Sequence, residues 1–325
     1  MHLTTETIED VIDLVAAGER SLDLRNVTSM DVYALLLLDL LVREARESDR
    51  PLQIAWPEAS SVRSWMTAMG FFADVKAGLA SRTAKGPADP KHGLPDDSGT
   101  TSGGSALGAD PSAPGALAAI ASVEREEDVS RLVGAFDERL ADRFPIDESP
   151  RRRFLRILLE LFQNIPQHAN ATSDVLDPHG LAALQDDETG VRLAVADKGI
   201  GLARSLGLRS GPKPTGPLSD ADALRAVVFD GRSRFRDPGR GRELERIFRL
   251  VRSWEGTISV RSGSALLFQS DLGGDLVDVR PFPGVQIAVF IPRAAFGIGE
   301  AAFGEGGVEL QGDPGFNEGN EEDDG

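Results

Sequence analysis

The chain contains no cysteine, which removes disulfides, thiolate metal sites and cysteine nucleophiles from consideration. It also lacks any long apolar run. The greasiest stretch, Ala34 to Val42, is interrupted by Asp39 and falls far short of the roughly 20 residues that a membrane span needs. Met1 to Ala16 holds Glu6, Glu9, Asp10 and Asp13 but no Lys or Arg, so no secretory signal is read there. A soluble protein of a reducing cytoplasm is expected. Net positive charge is missing too: the formal balance of −17 argues against direct nucleic-acid contact. Its distribution qualifies that sum. Gly299 to Gly325 carries nine acidic residues and no basic ones, a Gly-rich composition that reads as a disordered acidic tail. The remainder is only mildly acidic.

What is present is enough for two domains. A length of 325 residues suggests that number, and 41% hydrophobic residues can fill ordinary cores. Residues 1–78 form the first unit. Ser21 to Arg25 alternates like a half-buried strand, and a helix from Asp31 to about Glu47 follows, capped by Ser29 or Asp31. Leu52 to Trp56 is a second strand; Ser61 to Met69 is a second helix, closed by Gly70. Strand, helix, strand, helix predicts a parallel crossover. Residues 79–115 are dominated by Gly, Pro, Ser, Ala and Asp and read as a flexible linker that lets the units move apart.

From residue 116 the patterns change. Leu117 to Val123 reads as a strand, and Glu127 to Phe144 as a helix with Val129, Leu132, Val133, Phe136 and Leu140 on one face. Ser149-Pro150 is read as cap and first position of the next helix. That helix contains Glu160-Leu-Phe-Gln-Asn164-Ile-Pro-Gln-His168-Ala169, with Glu160, Asn164 and His168 along one stripe and Phe154, Ile157, Leu158, Leu161 and Ile165 facing a core. Pro166 removes the bond to Phe162 and is expected to kink it. Arg151, Arg152 and Arg153 lie at the wrong end of the helix dipole; they read as surface charges or as a face toward a negative partner.

Val191 to Asp197 is an alternating strand that ends in Asp197-Lys-Gly199-Ile-Gly201. Two glycines after a strand permit close approach of a ligand, although a tight turn reads the same way. Residues 204–242 are loop-rich, with one helix near Asp220 to Phe229, and hold nine basic against four acidic residues. This suits a lid over phosphates or, equally, a solvated loop. Gly239-Arg-Gly241 then opens a helix from Glu243 to Trp254, where free N–H groups can meet an anion. Thr257 to Arg261, Ala265 to Ser270 and Val285 to Ile291 read as strands with hairpin turns at Ser262-Gly263 and Gly273-Gly274.

The order of these boxes in residues 116–293 resembles the GHKL ATP-binding fold of gyrase B, chaperone ATPases, MutL and histidine kinases, in the branch of the anti-sigma-factor serine kinases. The resemblance implies an α/β two-layer sandwich over residues 116–298. By position it makes Asn164 the Mg²⁺ ligand and Glu160 the group that orients or deprotonates the nucleophile. Asp197 becomes the reader of the adenine amine, with Gly199 and Gly201 giving the ring room. Gly239 and Gly241 lie beneath the triphosphate, and His168 stands near the site. Val285 occupies a position where the family often has Thr, and Arg-Glu-Leu follows the Gly239-Arg-Gly241 box. ATP and Mg²⁺ are the implied cofactors. The first unit, through Asp23-Leu-Arg-Asn-Val27 and Asp31, resembles the STAS domain, a small α/β fold, yet Val32 and Tyr33 follow Asp31 where that family has its phosphorylatable Ser or Thr. A docking role is therefore expected of it.

The implied function is an ATP-binding regulator in bacterial signalling, either a serine kinase or an ATPase switch, or else a nucleotide-binding module without turnover. It would act through a protein partner such as a STAS-domain or sigma-factor-pathway protein, with a homodimer also compatible. A histidine kinase proper does not fit, since no heptad seam precedes residue 116 and none of the four histidines lies in a dimerisation hairpin.

Overall fold

The computed structural model describes residues 1–71, 115–144, 146–166, 180–186, 188–208, 218–233, 242–270 and 273–297. The expected linker core, the acidic tail, His168, Gly239 and Gly241 lie outside these residues. No described helix is long and apolar enough to cross a membrane.

The N-terminal unit runs β1 (His2–Leu3), α1 (Ile8–Ala16), β2 (Ser21–Asp23), β3 (Ser29–Met30), α2 (Val32–Glu47), β4 (Gln53–Ala55) and α3 (Ser60–Ala68). Strand β2 pairs parallel with β4, joined through α2 as the strand–helix–strand pattern predicts. A second parallel pair, β1 with β3, and helix α1 are additional. Asp31 caps α2, accepting from Ala34 N at 2.8 Å and from Thr5 N at 2.8 Å. Helix α2 is buried almost all round, from Val32 through Val42, so it must be covered on more than one side.

The cover on one side is a five-stranded antiparallel sheet. Its strands are β5 (Ala116–Ser122), β6 (Leu181–Asp186), β7 (Gly190–Ala196), β8 (Thr257–Ser270) and β9 (Gly273–Pro292). They are ordered β5-β6-β7-β9-β8. The intervening helices are α4 (Glu126–Arg143), α5 (Glu148–Asn164), α6 (Gly201–Gly207), α7 (Asp220–Val228) and α8 (Glu243–Ser253), and a short 3-10 turn closes at Arg293–Phe296. The fold is mixed α/β, with helices packed on one sheet face in the expected two-layer arrangement. Leu193 and Val195 of β7, Leu184 of β6 and Ile287 and Val289 of β9 meet Phe136, Phe154, Ile157, Leu158 and Leu161 in that layer.

The other face is not left to solvent. Leu181 and Ala183 of β6, Ala194 and Ala196 of β7 and Phe282 of β9 share a second core with Leu36, Leu37, Leu40, Tyr33 and Met66 of the N-terminal unit. The expectation that the two units move apart is therefore corrected: they are two sides of one sheet. The facing alanines keep α2 close, and Gln185 Oε1 accepts the first amide of that helix, Val32 N, at 2.9 Å.

Two local expectations are also corrected. Ser149 is not the cap of α5, because the helix starts at Glu148 with Asp147 as its flanking residue and without a side-chain cap bond. Pro150 still falls within the first turn, where its missing N–H is not needed. Ser262-Gly263 is not a hairpin turn but an irregularity within the continuous β8. There the Asp220 carboxylate accepts from Ser264 N at 2.8 Å and Ser264 Oγ at 3.0 Å, holding a bulge in place of a reversal. Arg151 and Arg152 pair with Asp137 and Glu148 as surface charges.

A shared core predicts one cooperative transition. Urea unfolding followed by Trp56 and Trp65 in a Trp254→Phe variant should coincide with unfolding followed by Trp254 in a Trp56→Phe/Trp65→Phe variant, after correction for each variant's own stability. Two well-separated transitions within either protein would show that the units unfold independently.

Candidate functional site

Helix α5 runs apolar side down, Phe154, Ile157, Leu158, Leu161 and Phe162 being buried, and so delivers Asn164 to its C-terminal rim. Pro166 leaves the Phe162 carbonyl without its ordinary partner. Ile165 N donates to it instead, and the chain passes through a wider π-type turn at 165–166. Across the sheet, β7 ends at Ala196 and places Asp197 just beyond.

The two ends meet in one cleft of about 760 Å³, its open mouth included. Asn164, Asp197 and Gly201 line it, with apolar walls from Ile165, Val195, Leu202, Leu206, Val227, Leu244, Val285 and Ile287. Arg232, Ser233 and Glu243 add polar groups. The structure thus brings together three of the residues singled out from sequence. Gly199 lies alongside, its N–H donating to Asp197 Oδ1 at 2.7 Å. Glu160 does not line the cleft: one turn back on α5, its Oε1 accepts from Arg156 Nε at 3.0 Å.

Asp197 is the electrostatic centre of the cleft. It is 8% exposed, and burial pushes its carboxyl up to about 7, against the opposing pull of the Gly199 and Val285 amides. Both amides donate to Oδ1, Val285 N at 3.3 Å. Its backbone is fixed as firmly: Asp197 N donates to Val285 O at 2.9 Å and Gln286 Nε2 donates to Asp197 O at 2.8 Å. Gly284 makes this approach possible. At φ +82, a Cβ there would lie 2.0 Å from Asp197 O, so no larger residue fits.

Gly201 has a parallel role at the start of α6. With φ +72 it turns the chain so that Leu202 N donates to the buried Ser262 Oγ at 2.9 Å. Sequence reasoning missed Gln286, Ser262 and Lys198 as supports of the site. A signal existed for the first: Gln286 is the one polar side chain in an otherwise apolar run, Val285 to Ile291.

Among the described residues no cluster of three or more His, Asp or Glu could hold a metal by itself. A Mg²⁺ at Asn164 would therefore take most of its oxygen ligands from phosphate and water, the ordinary habit of that ion.

No family model and no curated protein matches this chain. Among solved structures it is similar to the histidine kinase domain of a blue-light activated histidine kinase from Erythrobacter litoralis EL346. Identity is 11%, the match covers 82% of this chain and 90% of that one, and the TM-score is 0.28.

The raised carboxyl makes a linkage prediction. Its folded value of about 7 stands above the ordinary 3.8, so the stability it contributes is full below about pH 4 and is lost as pH rises through about 7. Asp197→Asn escapes that loss. The variant should gain on wild type between pH 5 and pH 8, by on the order of a few kcal/mol, measured by urea unfolding at both values. An identical difference at the two pH values would refute the assignment.

Proposed function

We propose that the cleft binds ATP with Mg²⁺ and that the protein is a nucleotide-dependent regulator of the GHKL type in bacterial signalling, acting through a protein partner. The observation that carries this reading is the convergence of Asn164, from a helix end, and Asp197, from a strand end, on one apolar-walled cleft. Apolar walls suit a purine, and a buried carboxylate oxygen suits an exocyclic amine that donates to it. An amide oxygen suits a cation shared with phosphates, and Arg232 supplies positive charge at the cleft.

Glu160 decides between the forms of this function. As the group that orients or deprotonates a nucleophile, it would serve a serine-kinase transfer to a partner, or hydrolysis driving a switch. Its pairing with Arg156 is a helix-surface contact in which Arg156 is 65% exposed, the kind of pair that contributes little and yields readily. The second reading, a binding module without turnover, is favoured by one fact: Glu160 lies outside the cleft lining. The STAS-like resemblance of the N-terminal unit supports a docking role and a partner of the STAS or sigma-factor pathway, with self-association as a further arrangement.

Calorimetric titration tests the site. Asn164→Ala should abolish the Mg²⁺-dependent part of ATP affinity, and an unchanged affinity would count against the whole assignment. Chemistry is tested separately by incubating the protein with γ-labelled Mg-ATP. Label on a protein indicates transfer, free phosphate indicates hydrolysis, and neither supports the module. Where label moves, Glu160→Ala should lower the rate at least about a hundredfold while leaving affinity within about threefold. Full turnover by that variant would remove its role.

A further inference from the structure

The loop that carries Asp197 is gripped from the opposite side of the sheet. Lys198 Nζ lies 3.3 Å from Glu47 Oε2 and 3.9 Å from Glu44 Oε2, both on α2, and its side chain is 10% exposed. Lys198 sits between Asp197 and Gly199, the two residues joined by the Oδ1 hydrogen bond. Moving the lysine would move both.

A second grip runs through the interior. Gln286 holds the Asp197 carbonyl and, through the same nitrogen, the Pro283 carbonyl at 2.7 Å. Opposite it across β8 and β9 stands Arg261, a guanidinium with 0% exposure. Arg261 Nη2 donates to Glu9 Oε2 of α1 at 3.0 Å, and the group stacks on Phe282 with 5.2 Å to the ring centroid. Arg261 Nε and Nη1, Glu9 Oε1 and Gln286 Oε1 are buried without a hydrogen-bond partner in this same region. A buried charge with donors to spare depends heavily on the one carboxylate it has. Glu9 in turn belongs to the N-terminal unit, as do Glu44 and Glu47.

We propose that the N-terminal unit is a working part of the nucleotide site. Its α1 and α2, through Glu9–Arg261 and Glu44/Glu47–Lys198, set the position of the Asp197 loop, and Lys198 and Gln286 are positioning residues. The inference rests on the cleft being a nucleotide site. Because coupling between two equilibria is reciprocal, nucleotide tightens the docking of this unit, and a partner that draws the unit off the sheet weakens nucleotide binding. The ion pair on Lys198 within the loop, and Arg261 placed opposite Gln286 in the strand register, favour this over a passive contact, which would need neither the buried arginine nor the nearly buried lysine.

The test uses full-length protein and Mg-ATP calorimetry. Lys198→Glu, and Glu44→Lys with Glu47→Lys, should each lower affinity roughly tenfold. Combining all three reversals restores the ion pairs and should return affinity to within about threefold. Lys198→Gln serves if a reversed variant fails to fold; it should lose affinity several-fold, whereas Lys198→Arg should keep it. In wild type, Mg-ATP should slow amide exchange in α1 and α2, a readout that a passive contact would not move. Reversed or neutralised variants that bind like wild type overturn the proposal, as does a loss that the combined variant does not recover. A wild type that binds no Mg-ATP overturns the cleft's nucleotide reading itself, an outcome distinct from the other two.

Discussion

Strand β7 is buried on both faces, and most of the molecule follows from that. Leu193 and Val195 face the helical layer, while Ala194 and Ala196 face α2. Large side chains on one side fill the space beneath amphipathic helices; small ones on the other let a helix lie close to the sheet. A strand covered in this way has little solvated surface along its length. Apart from Arg192, which stacks over Phe290, its polar chemistry lies at its end, where Asp197 stands. The position of the cleft is thus a by-product of how the sheet is packed.

Holding a carboxylate there is costly. Desolvation raises Asp197 toward neutrality, while two backbone amides pull it the other way. Such opposed forces, with Gly284 in a conformation other residues avoid, mark a strained place in the fold. The surroundings carry none of this tension. The salt bridges at the outer ends of α4 and α5, for example, are ordinary surface pairs. Charge is buried again at the sheet's inner face, where Arg261 meets Glu9, and at the Asp31, Asp39 and Asp186 carboxylates.

Much of this could be read from the residues. The stripes of α4 and α5 appeared at their 3.6-residue period, and β7 was bounded within a residue, because each packs one face against a single core. Strand β6 was missed for the opposite reason: Leu181-Ala-Ala-Leu184 is apolar on both faces and shows no alternation. Helix α1 carries a legible signal in Ile8, Val11 and Ile12, which share one buried face. Ser259 and Arg261 alternate with Ile258 and Val260, as they would on a strand facing water. They lie instead beneath the N-terminal unit, and no local pattern reports what a distant segment covers. The cleft's ends, Asn164 and Asp197, were visible; the residues that hold them still were not.

Helix α5 reaches the cleft with its C-terminal end, as the placement of Asn164 at its last turn shows. That end of a helix carries the negative pole of the summed peptide dipoles, equivalent to about half a charge. Phosphate-cradling sites commonly use the other end, where N–H groups point outward. Here an anion brought beside Asn164 meets the carbonyl oxygens of the helix's last turn. The field therefore disfavours a bare anion and favours one already complexed with a cation. The orientation of one helix, fixed by its greasy stripe, selects the ionic form of whatever enters.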